Sequence, residues 1–186
     1  MKNIFNKSMM SKSLLAVSLA ALLPVSAMAA ETSGGTVNFT GSVVTSACAT
    51  GIDSPNIDVE LGQVRTASLA TAGSEASTSK AFSIVLEDCD TTVSKAVAVT
   101  FSGTPDANDA ASLAVGSNGG TGSAQNVAIR LYDEQGTVVK LGEAAGAVTL
   151  RNGENTLNFS AKYYSPKGTA TAGDASAVAT YTLTYS

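Results

Sequence analysis

The sequence predicts an all-β protein, an antiparallel β-sandwich, on three observations. Nearly every segment after Ala30 alternates apolar and polar residues with a period of two, which is typical of half-buried strands. These segments are short and are separated by stretches rich in Gly, Asn and Ser, the residues that favour turns. No repeat of fixed period and no linker divides the chain. Short alternating strands joined by such turns indicate two packed antiparallel sheets.

The N-terminus has the composition of a secretory signal peptide. Three lysines precede any acidic residue and are followed by an apolar run at residues 13–23. Ala27 and Ala29 have the A-x-A spacing of a cleavage site. Because the apolar run is too short to span a bilayer, we expect residues 1–29 to be removed and the product to be exported without membrane insertion.

The segment that follows has the size and charge of one exported domain. Residues 30–186 number 157 and carry eight basic and fifteen acidic side chains, a net charge of −7. A chain of 157 residues is long enough to bury a single hydrophobic core. Because an acidic surface repels phosphate groups, neither nucleic acid nor anionic lipid is expected as a partner.

Cys48 and Cys89 are the two cysteines of the chain. A disulfide is the expected state of a cysteine pair in an exported protein. The alternative is a pair of free thiols at a metal or redox site. The sequence has no C-x-x-C motif and no histidine that would assist such a site, and the disulfide is therefore favoured.

Five predicted strands are defined by an apolar face whose members are two residues apart. In chain order these faces are Val37, Phe39, Gly41 and Val43; Ile57, Val59 and Leu61; Phe82, Ile84 and Leu86; Val97, Val99 and Phe101; and Val127, Ile129 and Leu131. A turn at residues 133–136 then leads into a further strand at 137–141. Each face is expected to point into the core of the sandwich.

Two strands are predicted within residues 147–164, on either side of Asn152-Gly153. This dipeptide favours the type I′ turn of a two-residue β-hairpin. The segments 68–80 and 103–123 are small and polar and are predicted to be loops. The second loop is long enough to hold a short helical turn.

The last segment has the strongest alternation of the chain. Tyr181, Leu183 and Tyr185 face one side, and threonines occupy the positions between them. Proteins normally protect the edges of their sheets, but neither this strand nor the strand at residues 35–44 contains Pro or Lys. Two interpretations follow: the two terminal strands pair with each other in a closed sandwich, or the N-terminal strand completes another subunit.

Several segments carry a resemblance that spans the chain after the signal peptide. They are Gly35 to Ala49, Val59 to Leu69, Phe82 to Asp90, Asn126 to Gly136 and Asn155 to Tyr164. At the C-terminus, Gly173 is fourteenth from the end and Tyr185 is penultimate, with alternating apolar residues between them. Together with the signal peptide and the cysteine pair, these segments resemble a major pilin of the type 1 fimbrial, chaperone–usher family.

The resemblance implies an incomplete fold. Pilins of this family have an immunoglobulin-like (pilin) β-sandwich that lacks its seventh strand and is completed by a donated strand. By resemblance, residues 30–47 are the N-terminal donor-strand extension and residues 48–186 the pilin domain. A periplasmic chaperone first lends a strand, and at the outer-membrane usher the extension of the next subunit replaces it. This exchange is a form of β-augmentation.

The resemblance also assigns roles to individual residues. Val37, Phe39 and Val43 are expected to be the inward-facing side chains of the donor strand, and Gly41 to match a shallow point of the groove. The acceptor groove and C-terminal motif are expected to comprise Gly173, Tyr181, Leu183, Tyr185 and Ser186. The carboxylate of the last of these is expected to bind basic residues of the chaperone.

Catalytic chemistry is not expected. The absence of histidine removes the usual general base and the commonest metal ligand. The acidic residues Glu87, Asp88 and Asp90 are interpreted as a solvated strand end. Residues 106–112 lack the Gly and the terminal Glu of a calcium loop. The sequence therefore predicts no catalytic, cofactor-binding or metal site, and no enzyme.

The leading hypothesis is the repeating shaft subunit of a cell-surface fimbria. Its expected partners are copies of itself, a periplasmic chaperone, an outer-membrane usher and other fimbrial subunits. A minor fimbrial subunit, such as an adaptor, is the nearest alternative. A monomeric secreted carbohydrate-binding β-sandwich is an alternative of a different class; it predicts a closed domain whose N-terminal strand pairs internally.

Overall fold

The computed structural model describes residues 35–116 and 122–186. The chain divides into two compact units, Met1–Gly41 and Ser42–Ser186. In the first unit, residues 35–41 are extended and exposed and form no strand. The predicted signal peptide and the first residues of the predicted donor extension lie outside the described residues.

The regular secondary structure of the second unit is almost entirely β-strand. A short 3-10 helix, Thr66–Leu69, precedes the long strands. The strands are β1 (Ala49–Thr50), β2 (Lys80–Cys89), β3 (Ala96–Gly103), β4 (Pro105–Asp106), β5 (Asp109–Ala114), β6 (Ala128–Asp133), β7 (Val138–Val139), β8 (Val148–Thr149), β9 (Gly153–Tyr164) and β10 (Ala179–Tyr185).

The strands form two sheets. The first sheet has the order β1-β2-β9-β6-β5-β4, and β7 pairs with β6. The second sheet has the order β10-β3-β8. Every pairing between these strands is antiparallel. The prediction of an antiparallel all-β sandwich is therefore confirmed.

The core lies between the two sheets and contains the predicted apolar faces of β2, β3 and β6. Phe101 of β3 contacts Phe82 and Phe159 of the first sheet, with ring centroids 6.0 and 5.0 Å apart. Both contacts are edge-to-face, the arrangement that aromatic rings prefer. A disulfide joins Cys48 to Cys89 and so ties the start of β1 to the end of β2.

Two local predictions were wrong. The strands on either side of Asn152-Gly153 do not form a hairpin, because β8 pairs with β3 in the second sheet whereas β9 pairs with β2 and β6 in the first. Gly153 alone of the two turn residues has a positive φ, 88°, and a type I′ turn needs both. The turn therefore carries the chain from one sheet to the other.

The second wrong prediction concerns residues 103–123. Part of this segment, predicted as a polar loop, forms the paired strands β4 and β5. The polar side chains are used inside the strands: Asp109 accepts hydrogen bonds from Ser112 Oγ at 2.5 Å and from Arg130 Nη2 at 2.6 Å. The composition of this segment is typical of a loop, but the segment forms a strand because its polar side chains are hydrogen-bonded to each other.

Candidate functional site: an open groove between two strand edges

One side of the groove is β10, which we call the second lip. It is an edge strand: in the part of the chain that the structure describes, its strand partner is β3, matched over seven residue pairs from Ala179 to Tyr185. Tyr181, Leu183 and Tyr185 are half-buried, while the threonines between them are exposed. The predicted alternation is confirmed, and the outer edge of β10 has no strand beside it among the described residues.

The other side is formed by residues 55–64, which we call the first lip. Sequence reasoning predicted a strand here, but the structure has no strand at these positions. Ile57, Val59 and Leu61 are half-buried and alternate with the exposed Asp58 and Glu60. Within the described ranges, no backbone-to-backbone hydrogen bond involves the first lip. The segment thus has the side-chain alternation of a strand without its ladder.

The space between the lips is a cavity of about 890 Å³ whose floor is the hydrophobic core. The core side chains at its floor are Phe82, Phe101, Leu113, Ile129, Leu131 and Ala161. Tyr181 and Leu183 line it from the second lip. An adjoining cavity of about 710 Å³ shares Val59, Leu61 and Ile129 with the first. The two cavities therefore form one continuous groove.

The lining of the second cavity includes a close backbone contact at Gly173. The next residue, Asp174, donates its N–H to the carbonyl of Gly122 and accepts from the N–H of Ala124, both at 2.9 Å. A Cβ atom at Gly173 would collide with those same backbone atoms of residues 122–124. The backbones can approach this closely only because residue 173 has no side chain.

Ser186 pairs through its backbone with the start of β3. Its N–H donates to the carbonyl of Ala96 at 3.0 Å, and its carbonyl oxygen accepts from the N–H groups of Lys95 and Ala96 at 2.8 and 2.9 Å. These bonds hold the C-terminus against the second sheet. The predicted role of its carboxylate in binding a chaperone stays a prediction.

The predicted donor residues are exposed. Val37, Phe39 and Val43 have 72%, 92% and 101% of their surface exposed, and a Cβ at Gly41 would have no atom within 4 Å. The structure has no strand at residues 35–44, contrary to the expectation from their alternation. Their role as a donor strand stays a prediction.

The groove has an apolar floor and an acidic rim. Asp58 and Glu60 border its first part, and Glu60 and Asp174 its second; no Lys or Arg is among the described residues that line it. Burial raises the pKa of the Tyr163 hydroxyl, and the nearby carboxylates of Asp174 and Glu60 raise it further. Burial likewise raises the pKa of Tyr181. These hydroxyls therefore remain protonated and act as donors at neutral pH.

Sequence reasoning missed the first lip as part of the site. The alternation of Ile57, Val59 and Leu61 was read as an ordinary strand, because the pattern does not reveal whether a neighbour is present. It also missed Ser54, which precedes the lip and is 3% exposed. The arrangement as a whole suits binding of an extended apolar chain.

Comparison with known proteins identifies the chain. The family model described as fimbrial protein matches residues 37–186. The chain belongs to the fimbrial protein family. It is 39% identical to the probable major fimbrial subunit LpfA of Escherichia coli O157:H7 over 176 residues, which cover 95% of this chain and 97% of the relative. It is 44% identical to the type-1 fimbrial protein, A chain, of Escherichia coli K12 over 177 residues, covering 92% and 96%.

A solved structure agrees with these relatives. The structure of a chaperone–usher pilus that concerns rod uncoiling matches with a TM-score of 0.70 and 28% identity, covering 84% of this chain and 98% of that one. The chain is thus a structural subunit of a fimbrial shaft that is exported to the cell surface. Within residues 35–116 and 122–186, no helix is long and apolar enough to cross a membrane.

Proposed function

We propose that the subunits polymerise by donor-strand exchange, in which residues 35–44 of one subunit occupy the groove of the next. The observation that carries the proposal is the groove itself: it lies over the hydrophobic core, between the open edge of β10 and the first lip, whose backbone is unpaired in the described structure. An edge of this kind is a template for another strand.

The pattern of residues 35–44 suits such a groove. In an inserted strand, alternate side chains point down, so Val37, Phe39 and Val43 would face the core while Asn38 and Thr40 would face solvent. Burying each of the three apolar side chains contributes about 1.5–3 kcal/mol. The backbone of the inserted strand can bond to a lip on each side, at the spacing of about 4.7–4.9 Å found between neighbouring strands.

The contact would be heterologous, because the donor segment and the groove are different surfaces of the same chain. A heterologous contact that does not close into a ring generates a filament. This geometry supports the repeating role of a shaft subunit, since every copy offers one donor segment and one acceptor groove.

We further propose that a periplasmic chaperone covers the groove before assembly and that an outer-membrane usher handles the exchange. A groove with an apolar floor and an open strand edge is an aggregation hazard for a free subunit. A strand lent by a chaperone removes this hazard in the same way as the donor strand of a neighbour. The solved pilus similar to this chain is described as a chaperone–usher pilus.

The direct test is deletion of residues 30–42 from the precursor with the signal peptide retained. Filaments should be lost, while the subunit should still be recovered in complex with the chaperone.

Removing residues 181–186 should instead prevent chaperone capture, because the second lip is destroyed, and the subunit should be degraded. Filament yield by electron microscopy and chaperone co-purification are the measurements.

A matched pair of variants refines this test. Changing Val37 and Phe39 to Ser removes the apolar side chains that are proposed to fill the groove, whereas changing Asn38 and Thr40 to Ser alters only the opposite face. Only the first variant should lose filaments. Equal assembly of the two variants, or normal assembly after the deletion, would contradict donor-strand exchange.

A further inference from the structure

Ser54 fixes the start of the first lip to the first sheet. Its Oγ accepts a hydrogen bond from the N–H of Val85 at 2.9 Å and donates to the carbonyl of the same residue at 3.2 Å. The Ser54 N–H donates to the carbonyl of Gly51 at 3.0 Å. The buried Ser54 side chain thus bonds to both backbone groups of Val85 on β2, whose carbonyl also accepts from the N–H of Gly51 at 2.9 Å.

The carbonyl of Ser54 is in turn held by the second lip. The hydroxyl of Tyr181 donates to it at 3.0 Å. Tyr181 is opposite Phe101 in the β10–β3 ladder, and their ring centroids are 6.4 Å apart. The hydrogen bond therefore joins a carbonyl fixed to the first sheet to a side chain fixed to the second sheet.

This bond has no equivalent elsewhere along the groove. Between residues 54–64 and β10, the described structure contains no other hydrogen bond. Tyr163 also reaches the first lip, with its hydroxyl 3.5 Å from the carbonyl of Gly62, but it projects from β9. The spacing of the two lips is otherwise left to side-chain packing, which is non-directional.

We propose that Tyr181 is a positioning residue whose hydroxyl, through Ser54, holds the two lips at the separation that a donated strand requires. The inference rests on the proposed function, since it concerns how the same groove accepts a strand. A groove that is held open in advance avoids part of the cost of ordering during binding. A groove free to close or widen would be competent for only part of the time, which lowers the apparent affinity by that fraction.

The first experiment compares Tyr181→Phe with Tyr185→Phe in the chain of residues 42–186, the second compact unit, which lacks most of the proposed donor segment. Both changes remove one hydroxyl from the same face of β10, but the hydroxyl of Tyr185 makes no hydrogen bond within the described residues. The probe is a synthetic peptide of residues 35–44, and the measurement is its association and dissociation rates. We expect about fivefold slower association for Tyr181→Phe, the factor that corresponds to one hydrogen bond of ordinary strength, and no change for Tyr185→Phe.

The split between the two rates separates positioning from contact. Loss of a direct contact with the peptide would raise the dissociation rate, whereas loss of a pre-formed groove lowers the association rate. Ser54→Ala should slow association in the same direction, because the carbonyl that accepts the Tyr181 bond is then held against β2 only through the backbone of Gly51. Since both residues act through one hydrogen bond, the double variant should be no slower than the slower single variant.

A second measurement does not depend on peptide binding. Methyl relaxation dispersion at Ile57, Leu61 and Leu183 should reveal new microsecond-to-millisecond exchange in Tyr181→Phe and none in Tyr185→Phe. Unchanged methyl dynamics and an unchanged association rate would overturn the role of Tyr181. Failure of the unsubstituted chain to bind the peptide, with the methyl result as expected, would instead count against donor-strand exchange and leave the role of Tyr181 in holding the lips supported.

Discussion

The two faces of the first sheet differ in how completely their surfaces are paired. On the outer face, Arg130 lies 2.6 Å from Asp109 and stacks at 3.3 Å on the ring of Tyr164. Glu75 accepts from the hydroxyl of Tyr132 and lies 3.5 Å from the amine of Lys162. On the inner face, the core opens into a groove whose two lips lack a strand between them in the described structure.

The difference shows where the chain is complete and where it is not. In the described part of the molecule, no buried side-chain nitrogen or oxygen lacks a hydrogen-bond partner. A polar network that is fully satisfied makes a face that needs no further partner. The groove, by contrast, leaves apolar surface and strand edges open, and these are the features that another strand can satisfy. Paired polar side chains and the open groove thus lie on opposite faces of one sheet.

The largest effect is expected at the floor of the groove. Phe101 is 4% exposed and contacts two other phenylalanine rings. Phe101→Ala should lower the free energy of unfolding by about 4 kcal/mol, the loss typical of a buried aromatic ring. Urea denaturation of the chain of residues 30–186 measures it. Phe82→Ala is the comparison, since Phe82 lines the same floor but is only half-buried; equal losses for the two variants would contradict burial as the cause.

The next effect is expected on the outer face. Arg130→Met removes the cation that neutralises Asp109, a carboxylate whose side chain is 20% exposed. The free energy of unfolding should fall by about 3 kcal/mol, because an unpaired and largely buried charge remains. Adding Asp109→Asn removes that charge and should restore part of the loss. A double variant that is less stable than Arg130→Met would show that the charge of Asp109 is not the cause.

A smaller effect is expected at Gly173 in the second cavity of the groove. Gly173→Ala places a Cβ against the backbone of Gly122 and Ala124. We expect a loss of about 2 kcal/mol, in the range for overpacked sites. Gly146→Ala is the matched control, because a Cβ at Gly146 meets no atom within 4 Å. Thermal unfolding compares the two, and equal melting temperatures would refute the steric role of Gly173.

The smallest effect is the response of the outer face to acid. Burial alone would raise the pKa of Asp109, but hydrogen bonds from Ser112 and Arg130 outweigh it, so the folded pKa lies below its ordinary value. The unfolded chain therefore binds this proton first as the pH falls. The contribution of Asp109 to the free energy of unfolding is therefore complete above about pH 5. It falls as the pH is lowered through about pH 4 and beyond. Asp109→Asn should flatten this part of the stability–pH curve, and an unchanged slope would contradict the assignment.

The sequence predicted those parts of the fold whose pattern depends on their own residues. The alternation of Val97, Val99 and Phe101 reflects burial on one face, and the same holds for Tyr181 and Leu183. Such patterns state that a residue is buried, which the structure confirms. They do not state which strand lies alongside. The prediction of a hairpin at Asn152-Gly153 was wrong for this reason. Whether β8 pairs with the adjacent β9 or with the distant β3 is not encoded in the residues of the turn.

The groove was predicted only in part for the same physical reason. The C-terminal motif assigned five residues to it: Gly173, Tyr181 and Leu183 line the two cavities, whereas Tyr185 and Ser186 line neither. The first lip was not assigned, since Ile57 and Val59 have the pattern of any half-buried strand. The hydrogen bond from Tyr181 to Ser54 crosses 127 positions of sequence, and no local pattern encodes such a contact.

The most direct test of the central claim is a photo-cross-link from position 39 in assembled filaments. Phe39 is replaced by p-benzoylphenylalanine, and filaments are assembled from a mixture of isotopically light and heavy subunits. After irradiation, mass spectrometry identifies the residues that are joined. We expect cross-links to groove residues such as Ile57 or Leu183. Light and heavy chains should be cross-linked to each other as often as random mixing of neighbouring subunits requires. Cross-links confined to chains of a single isotope, each joined to its own groove, would contradict it.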